Sequence, residues 1–152
     1  MMNRSLFRGW FLIALVCGAW HQGASAADTL WAEKSNWLNL IGYGQVQHTY
    51  ACYRKTGQTT RYCYGNPGSS SGGTYLTNTQ GSGYGVQLAC AAGNKCAITW
   101  GFNGTCHQGA NRMLKTANKT VSAAGGYSLS VRLFGTYGTE PSWTACRLQC
   151  RI

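Results

Sequence analysis

The side chains best suited to chemistry in this sequence are its cysteines and histidines. Eight cysteines and three histidines stand against only three carboxylates in 152 residues. Calcium cages, clustered two-metal centres and paired-carboxylate glycosidases need more carboxylates than Asp28, Glu33 and Glu140 provide. The composition therefore points to thiol and imidazole chemistry.

The residue with the most chemical promise is Cys106, at the start of a predicted helix. Thr105 can cap that helix, and the helix dipole favours a thiolate, which is the nucleophilic form of cysteine. Unpaired N–H groups at Thr105 and Cys106 could also hold the oxyanion formed when an acyl carbonyl is attacked. His48, which lies on a predicted strand, is the expected general base. His107 is about 100° further around the helix, so we expect its ring to point away from Cys106.

The helix itself is predicted from a stripe of apolar residues over positions 106–117. The stripe consists of Cys106, Ala110, Met113, Leu114 and Ala117. A buried helix face of this kind would place the thiol against the rest of the domain. A cysteine there can equally be a small buried hydrophobe with no catalytic role.

The N-terminal residues 1–26 have the features of a secretory signal peptide. Two arginines precede an apolar run over residues 10–17, and Ala24-Ser25-Ala26 forms a small-x-small cleavage site. The run is too short to span a bilayer. We therefore expect a secreted or periplasmic domain over residues 27–152, with no transmembrane segment once the signal is removed.

Removal of the signal leaves seven cysteines, an odd number in a compartment where pairing is expected. Turns between Cys52 and Cys63 and between Cys90 and Cys96 allow two local disulfides, and the spacing of Cys146 and Cys150 suits one helical turn or a tight loop. Pairings in which Cys146 or Cys150 crosses to one of the hairpins stay open. The local pairing leaves Cys106 as the free thiol.

The remaining elements are mainly strands, because apolar residues alternate in several segments. A short helix is predicted over residues 28–40, where acids stand at the start. The Gly-, Ser- and Thr-rich segment 65–85 is interpreted as a mobile loop. Together these elements predict an α+β fold in which a small antiparallel sheet packs on the cysteine-bearing helix and disulfides fasten the chain. The predicted strands cover residues 45–53, 60–64, 84–90, 97–102 and 128–134.

A histidine on a strand (Gln45-Val46-Gln47-His48-Thr49-Tyr50) followed by a cysteine that opens a helix (Gly104-Thr105-Cys106-His107-Gln108) resembles the circularly permuted branch of the NlpC/P60-like, papain-like cysteine hydrolases. The resemblance implies a small antiparallel sheet packed on the cysteine-bearing helix, and hydrolysis of amides or esters, including peptidoglycan peptides and lipids. It implies Cys106 as nucleophile and His48 as base. The family's third polar residue has no motif match, and Tyr50 or a residue of the neighbouring strand is a candidate to orient the imidazole. The hypothesis is a secreted cysteine hydrolase of acyl bonds, acting in cell-envelope polymers without a cofactor or metal.

Two other classes of function fit the strong basic charge. The mature segment carries eleven Lys and Arg against three acids, a net charge of +8 that attracts polyanionic surfaces or nucleic acid. One class is a non-catalytic binding or toxin-like module, in which aromatic residues such as Trp31, Trp37, Trp100 and Trp143 form stacking platforms. The other is a secreted ribonuclease that uses His48 and His107 as acid and base. A zinc site of His48, Cys106 and His107 is weaker, because adjacent helix residues diverge.

Overall fold

The computed structural model describes residues 26–42, 44–66 and 73–152. The predicted signal peptide and the centre of the Gly/Ser segment lie outside the described residues. The described chain has an α+β fold with a five-stranded antiparallel sheet and four α-helices. The expected fold class is therefore confirmed.

The sheet is built around two long strands, β1 (Asp28–Leu40) and β2 (Gly44–Arg54). Strand β3 (Arg61–Gly65) extends the sheet beyond β2, while β4 (Thr74–Tyr75) and β5 (Gly81–Gly83) both pair with β1 on its other side. Because β3 ends where Gly65 pairs with Tyr50, the N-terminal half of β2 has a free edge toward that side. This free edge is where the candidate site is built.

The two faces of the sheet bury different residues, as the alternation of a strand requires. Leu30 and Ala32 of β1 and Ala51 and Tyr53 of β2 belong to the main core beneath the helices. The other face carries a small separate cluster with the Cys52–Cys63 disulfide and Tyr50. Neighbouring residues of β2 therefore point into different environments.

Four helices follow the sheet in the chain: α1 (Gly85–Gly93), α2 (Cys106–Met113), α3 (Tyr127–Phe134) and α4 (Ser142–Cys150). Single 3₁₀ turns follow α1 at Lys95–Ala97 and α2 at Lys115–Ala117. Helix α2 is central, since every one of its eight residues is buried. It packs against β2, α1 and α3.

Helix α2 begins at Cys106 as predicted, and all five residues of its expected apolar stripe are buried. The Thr105 hydroxyl accepts a hydrogen bond from the His107 N–H, and the Gln108 carboxamide oxygen accepts one from the Thr105 N–H. This reciprocal arrangement is a capping box. The predicted strands at 45–53 and 60–64 are also present, as β2 and β3.

Four other predicted elements are wrong. Residues 28–40 form β1 rather than a helix, because pairing with β2 satisfies the backbone along most of their length. Residues 84–90 fall mainly in α1, where Leu88 and Ala91 recur at helical spacing and are both buried. Residues 97–102 contain no strand, only the end of a 3₁₀ turn and an isolated bridge at Trp100.

The alternation that predicted a strand over residues 128–134 belongs instead to α3. Leu129 and Leu133 are four residues apart and so share one side of a helix. Gly126, with a φ of 86°, precedes α3, and Gly135, with a φ of 72°, follows it. Glycine tolerates these positive φ values, so the two glycines delimit the helix.

The part of the predicted loop 65–85 that the structure describes is more ordered than expected. It supplies β4 and β5, and Leu76 is buried in the main core. The Leu76 N–H donates to the Ala32 carbonyl, and the Thr79 hydroxyl donates to the Leu76 carbonyl. Backbone pairing with β1 therefore orders a segment whose composition is poor in apolar residues.

Two disulfides are formed. The Cys52–Cys63 pairing is confirmed, whereas Cys90 is bonded to Cys150, so the pairings Cys90–Cys96 and Cys146–Cys150 are wrong. The reason is that residues 85–93 are helical and pack against α4, so no hairpin places Cys90 opposite Cys96. Cys106 is free as expected, and Cys96 and Cys146 are also unbonded.

None of the helices in the described residues is long and apolar enough to cross a membrane.

Candidate functional site

A cavity of about 220 Å³ opens where the free edge of β2 meets α2 and α3. The backbone of residue 47 is joined to the segment before α3, since the Gln47 N–H donates to the Gly125 carbonyl and the Gly125 N–H donates to the Gln47 carboxamide oxygen. Gln47 and Gly126, at this junction, both line the cavity. Its walls are mostly apolar and come from Leu38, Leu40, Val46, Trp100, Leu129, Leu133 and Phe134.

Cys106 and both histidines of the described chain line this one cavity, together with Thr105 and Ser130. The sequence-predicted site residues Cys106, His48 and Thr105 are thus brought together around a common space. His107 is there as well, buried to 3% exposure, whereas we expected its ring to point away. The physical reason is that α2 is buried on every side, so no direction around the helix leads to solvent.

The Cys106 thiol is held between the N-terminus of α2 and strand β2. Burial raises the pKa of the thiol above its usual value. The nearby N–H and hydroxyl of Thr49, with the backbone N–H groups at the start of α2, lower the pKa by a smaller amount. At neutral pH the resting group is therefore a thiol, and its ionisation needs a base.

The Thr49 hydroxyl connects the thiol to His107, because its oxygen lies 3.4 Å from His107 Nδ1. The backbone of Gly125 lies near the His107 ring and raises its pKa, and a Cβ on the adjacent Gly126 would lie 3.6 Å from Nε2. Nδ1 therefore faces Thr49, and Nε2 faces the backbone of Gly125 and Gly126. Each nitrogen of this imidazole has a polar neighbour.

Burial, with a smaller contribution from the nearby His48, lowers the pKa of His107 to about 4. A ring with this pKa is neutral throughout the physiological range. Its buried position and its contact with Thr49 fit a group that orients the Thr49 hydroxyl. It is a poor acceptor for a thiol proton at neutral pH, because its basicity is so low.

His48 differs in its bonding, since its buried Nε2 has no hydrogen-bond partner within residues 26–42, 44–66 and 73–152. Burial lowers the pKa of this imidazole below its usual value. By strand alternation His48 shares a face with Tyr50, whose ring it meets edge-on at 4.8 Å, while Thr49 points to Cys106. A Cβ on Gly65 would lie 2.6 Å from His48 Nε2, so this nitrogen faces the end of β3.

Polar side chains of α2 fix the helix that carries Cys106. The Gln108 carboxamide donates to the Gly135 carbonyl, the Asn111 carboxamide donates to the Thr136 carbonyl, and the Arg112 guanidinium donates to the Tyr137 carbonyl. All three side chains are fully buried. These contacts satisfy backbone carbonyl groups in the segment that follows α3. They also hold α2 rigidly, which keeps the thiol in a fixed position.

A metal centre finds no support at this cavity. Within the described residues, one group of potential ligands has all its ligand atoms within 4.8 Å of one another, and it consists of Glu33, Cys52 and Cys63. Its two sulfurs are bonded to each other as a disulfide. The zinc site of His48, Cys106 and His107 considered from the sequence is therefore not assembled.

Sequence reasoning missed Thr49 and the apolar wall of the cavity. Thr49 directly follows His48, and strand alternation alone would have shown that only one of the two can face α2. The wall was missed because Leu129 and Leu133 were placed on a strand. Their four-residue spacing was the signal that they belong to a helix, α3.

Comparisons of the chain with protein-family models, with curated proteins and with solved structures gave no match.

Proposed function

We propose that this protein is a cysteine hydrolase of acyl bonds, with Cys106 as nucleophile. The observation that supports the proposal most is the placement of Cys106 at the N-terminus of α2, in the wall of a cavity that His48 also lines. Nucleophile, base and a substrate-sized space then occupy one site.

In this proposal His48 accepts the proton of the Cys106 thiol. Its Nε2 has no hydrogen-bond partner among the described residues, whereas Nδ1 of His107 lies 3.4 Å from the Thr49 hydroxyl. Because Nε2 faces Gly65, transfer requires the His48 ring to turn toward the free edge of β2. The Thr49 N–H and hydroxyl stabilise the thiolate that results.

The thiolate then attacks the acyl carbon, and the carbonyl oxygen becomes an oxyanion. The Thr105 N–H is already bonded to Gln108 and the His107 N–H to Thr105, so the expected use of the Thr105 N–H for this charge is wrong. In this proposal the Cys106 N–H and the helix dipole stabilise the oxyanion. His48 returns its proton to the leaving amine or alcohol, so that a thioester remains on Cys106. Attack of water on the thioester releases the acid and restores the thiol.

The cavity wall indicates which part of the substrate enters. Leu38, Val46, Leu129 and Leu133 offer an apolar surface, and no Lys or Arg is among the described residues that line the cavity. An uncharged acyl group fits such a wall, while the basic exterior of the protein holds a polyanionic envelope polymer outside the cavity. A ribonuclease would need a cation beside the scissile phosphate, so the lining does not favour that alternative.

The test is hydrolysis of acyl amides, acyl esters and envelope peptides by the exported protein and by Cys106→Ala. Loss of the nucleophile should reduce turnover by a factor on the order of 10⁴ or more. The matched control is the double variant Cys96→Ala/Cys146→Ala, which removes two buried thiols that do not line the cavity and should keep its turnover. Hydrolysis that survives Cys106→Ala would refute the proposal.

A further inference from the structure

Two free cysteines lie together in the core, away from the candidate site. Cys96 is in the 3₁₀ turn after α1, and Cys146 is in α4. Both are almost fully buried in the main core, and neither lines the cavity around Cys106. Their role is not explained by the proposed hydrolase mechanism.

The Cys90–Cys150 disulfide sets the register of the segments that carry these two thiols. It joins the end of α1 to the end of α4 with a Cα–Cα distance of 5.6 Å. Cys146 precedes Cys150 by four residues, and therefore lies one turn back on the same side of α4. Cys96 follows Cys90, in the 3₁₀ turn that packs on α4. Along the chain, Cys96 and Cys146 therefore both lie between Cys90 and Cys150.

Polar contacts hold the two segments together at both ends of this interface. The Asn94 carboxamide oxygen accepts a hydrogen bond from Gln149. The Arg112 guanidinium donates to the Cys96 carbonyl and to the Ser142 hydroxyl. Cys96 and Cys146 are thus enclosed between fixed contacts.

The two thiols are neighbours in the main core, where the 3₁₀ turn of Cys96 packs on α4. The Cys96 thiol donates a hydrogen bond to the Gly109 carbonyl at 3.3 Å. The adjacent Cys96 and Arg112 lower the pKa of the Cys146 thiol against the opposing effect of burial. Burial and the adjacent Cys146 raise the pKa of Cys96. Cys146 is therefore the thiol that ionises first and the one better able to begin thiol–disulfide exchange.

We propose that Cys96 and Cys146 form a third disulfide, nested inside Cys90–Cys150, during oxidative folding after export. The oxidant is a disulfide, either a small molecule or the disulfide of a folding oxidoreductase. The Cys146 thiolate attacks one sulfur of that disulfide and releases the first thiolate. The Cys96 thiolate then attacks the Cys146 sulfur of the mixed disulfide and releases the second. The two cysteine thiols lose two electrons and two protons, and the oxidant becomes two thiols.

The third disulfide would leave Cys106 as the sole thiol of the seven mature cysteines. Its effect on stability should be smaller than its span of fifty residues suggests. The existing Cys90–Cys150 bond already closes the long loop, so the added ring contains only the short segments between the paired cysteines. It would fasten the turn that leads to Trp100 in the cavity wall.

The experiment counts alkylated cysteines in the exported protein after unfolding in guanidinium with a maleimide at low pH and without a reductant. One adduct, on Cys106, is expected, together with a crosslinked peptide that contains Cys96 and Cys146. Three adducts, one on each of the unbonded cysteines, would overturn the proposal, as would a Cys96 or Cys146 thiol that is fully labelled.

A single substitution distinguishes the two outcomes, because the number of adducts then changes in opposite directions. Cys96→Ser should raise the number of adducts from one to two if the disulfide exists, because it releases Cys146. The same substitution should lower the number from three to two if both thiols are free. Cys106→Ser is the matched control, because it removes one adduct in either case and shows that labelling is complete. Neither result depends on whether Cys106 is catalytic.

Discussion

The two histidines of the cavity both have a lowered pKa, yet their ring nitrogens have different surroundings. His107 has Thr49 beside Nδ1 and the Gly125 backbone near its ring. The buried Nε2 of His48 has no hydrogen-bond partner among the described residues. An imidazole with polar neighbours keeps its tautomer, whereas an unpaired nitrogen in a buried place costs free energy unless it is used.

This comparison assigns different tasks to the two rings. In the proposed mechanism His107, next to Cys106 in the sequence and near it through Thr49, positions the hydroxyl. His48, distant in the sequence, accepts the proton. Adjacency in the sequence is then a poor guide to the base of this mechanism.

Replacement of His48, the proposed base, should have the largest effect on kcat and should distinguish the two histidines. His48→Ala should lower kcat by about 10² to 10⁴-fold, the usual contribution of general base catalysis. His107→Ala should lower it less, because the proton acceptor is still present. Added imidazole should partly restore His48→Ala and have little effect on His107→Ala. Steady-state kinetics of the three proteins measures this, and a larger loss in His107→Ala would reverse the assignment.

The pH dependence of the free energy of unfolding in acid should show that the fold keeps His107 neutral. Its pKa is about 4 in the folded protein and 6.5 in an unfolded chain, so between these values the unfolded state binds more protons. The free energy of unfolding is unaffected by this group above pH 6.5 and falls as the pH drops toward 4. The decrease due to His107 is about 3 kcal/mol.

The measurement is denaturant unfolding of wild type and His107→Gln at several pH values. The variant should lose less stability than the wild type between pH 6.5 and 4, since glutamine does not titrate. Parallel pH profiles of the two proteins would show that His107 is not held neutral by the fold.

Loss of the Thr49 hydroxyl should have a moderate effect. Thr49→Val keeps the shape of the side chain but removes the link between His107 and the Cys106 sulfur. We expect kcat/KM to fall about tenfold, the equivalent of one hydrogen bond to a charged group. The pH dependence of Cys106 alkylation should shift to higher pH, because the thiolate loses a donor. Thr49→Ser, which keeps the hydroxyl, is the control, and an unchanged alkylation profile in Thr49→Val would contradict the contact.

The smallest effect is expected at Gly65, next to His48. A Cβ at this position would lie 2.6 Å from His48 Nε2, so Gly65→Ala must displace the ring. If the ring has to turn away from Gly65 to reach Cys106, kcat should be kept or raised, with a loss of about 1 kcal/mol in stability from the tighter packing. A loss of activity as large as that of His48→Ala would show that the orientation facing Gly65 is the active one.

Sequence patterns predicted the part of the fold that carries the nucleophile. The cap at Thr105 and the stripe from Cys106 to Ala117 are local signals, and they placed α2 correctly. Strand β2 was equally clear from its alternation. The errors arose where the decisive contacts are distant in the chain, as for β1, which is ordered by pairing with β2 and β5.

The site was predictable in its residue types but not in its arrangement. An odd cysteine count and a capped helix singled out Cys106, and two histidines were the obvious bases. The positions of Thr49 and Gly125 beside His107 depend on how β2 meets the loop before α3. Likewise, the Cys90–Cys150 bond follows from the packing of α4 on α1, which the cysteine spacing does not encode.

The central claim, that Cys106 is the nucleophile, is tested most directly by trapping the acyl-enzyme. The protein is mixed with an activated ester of an apolar acyl group, quenched in acid and analysed as peptides by mass spectrometry. We predict a thioester on Cys106 that forms faster than the acid product accumulates, no adduct on Cys106→Ala, and slower formation in His48→Ala. Steady hydrolysis of the ester with Cys106 unmodified, or the same rate in Cys106→Ala as in the wild type, would contradict the claim.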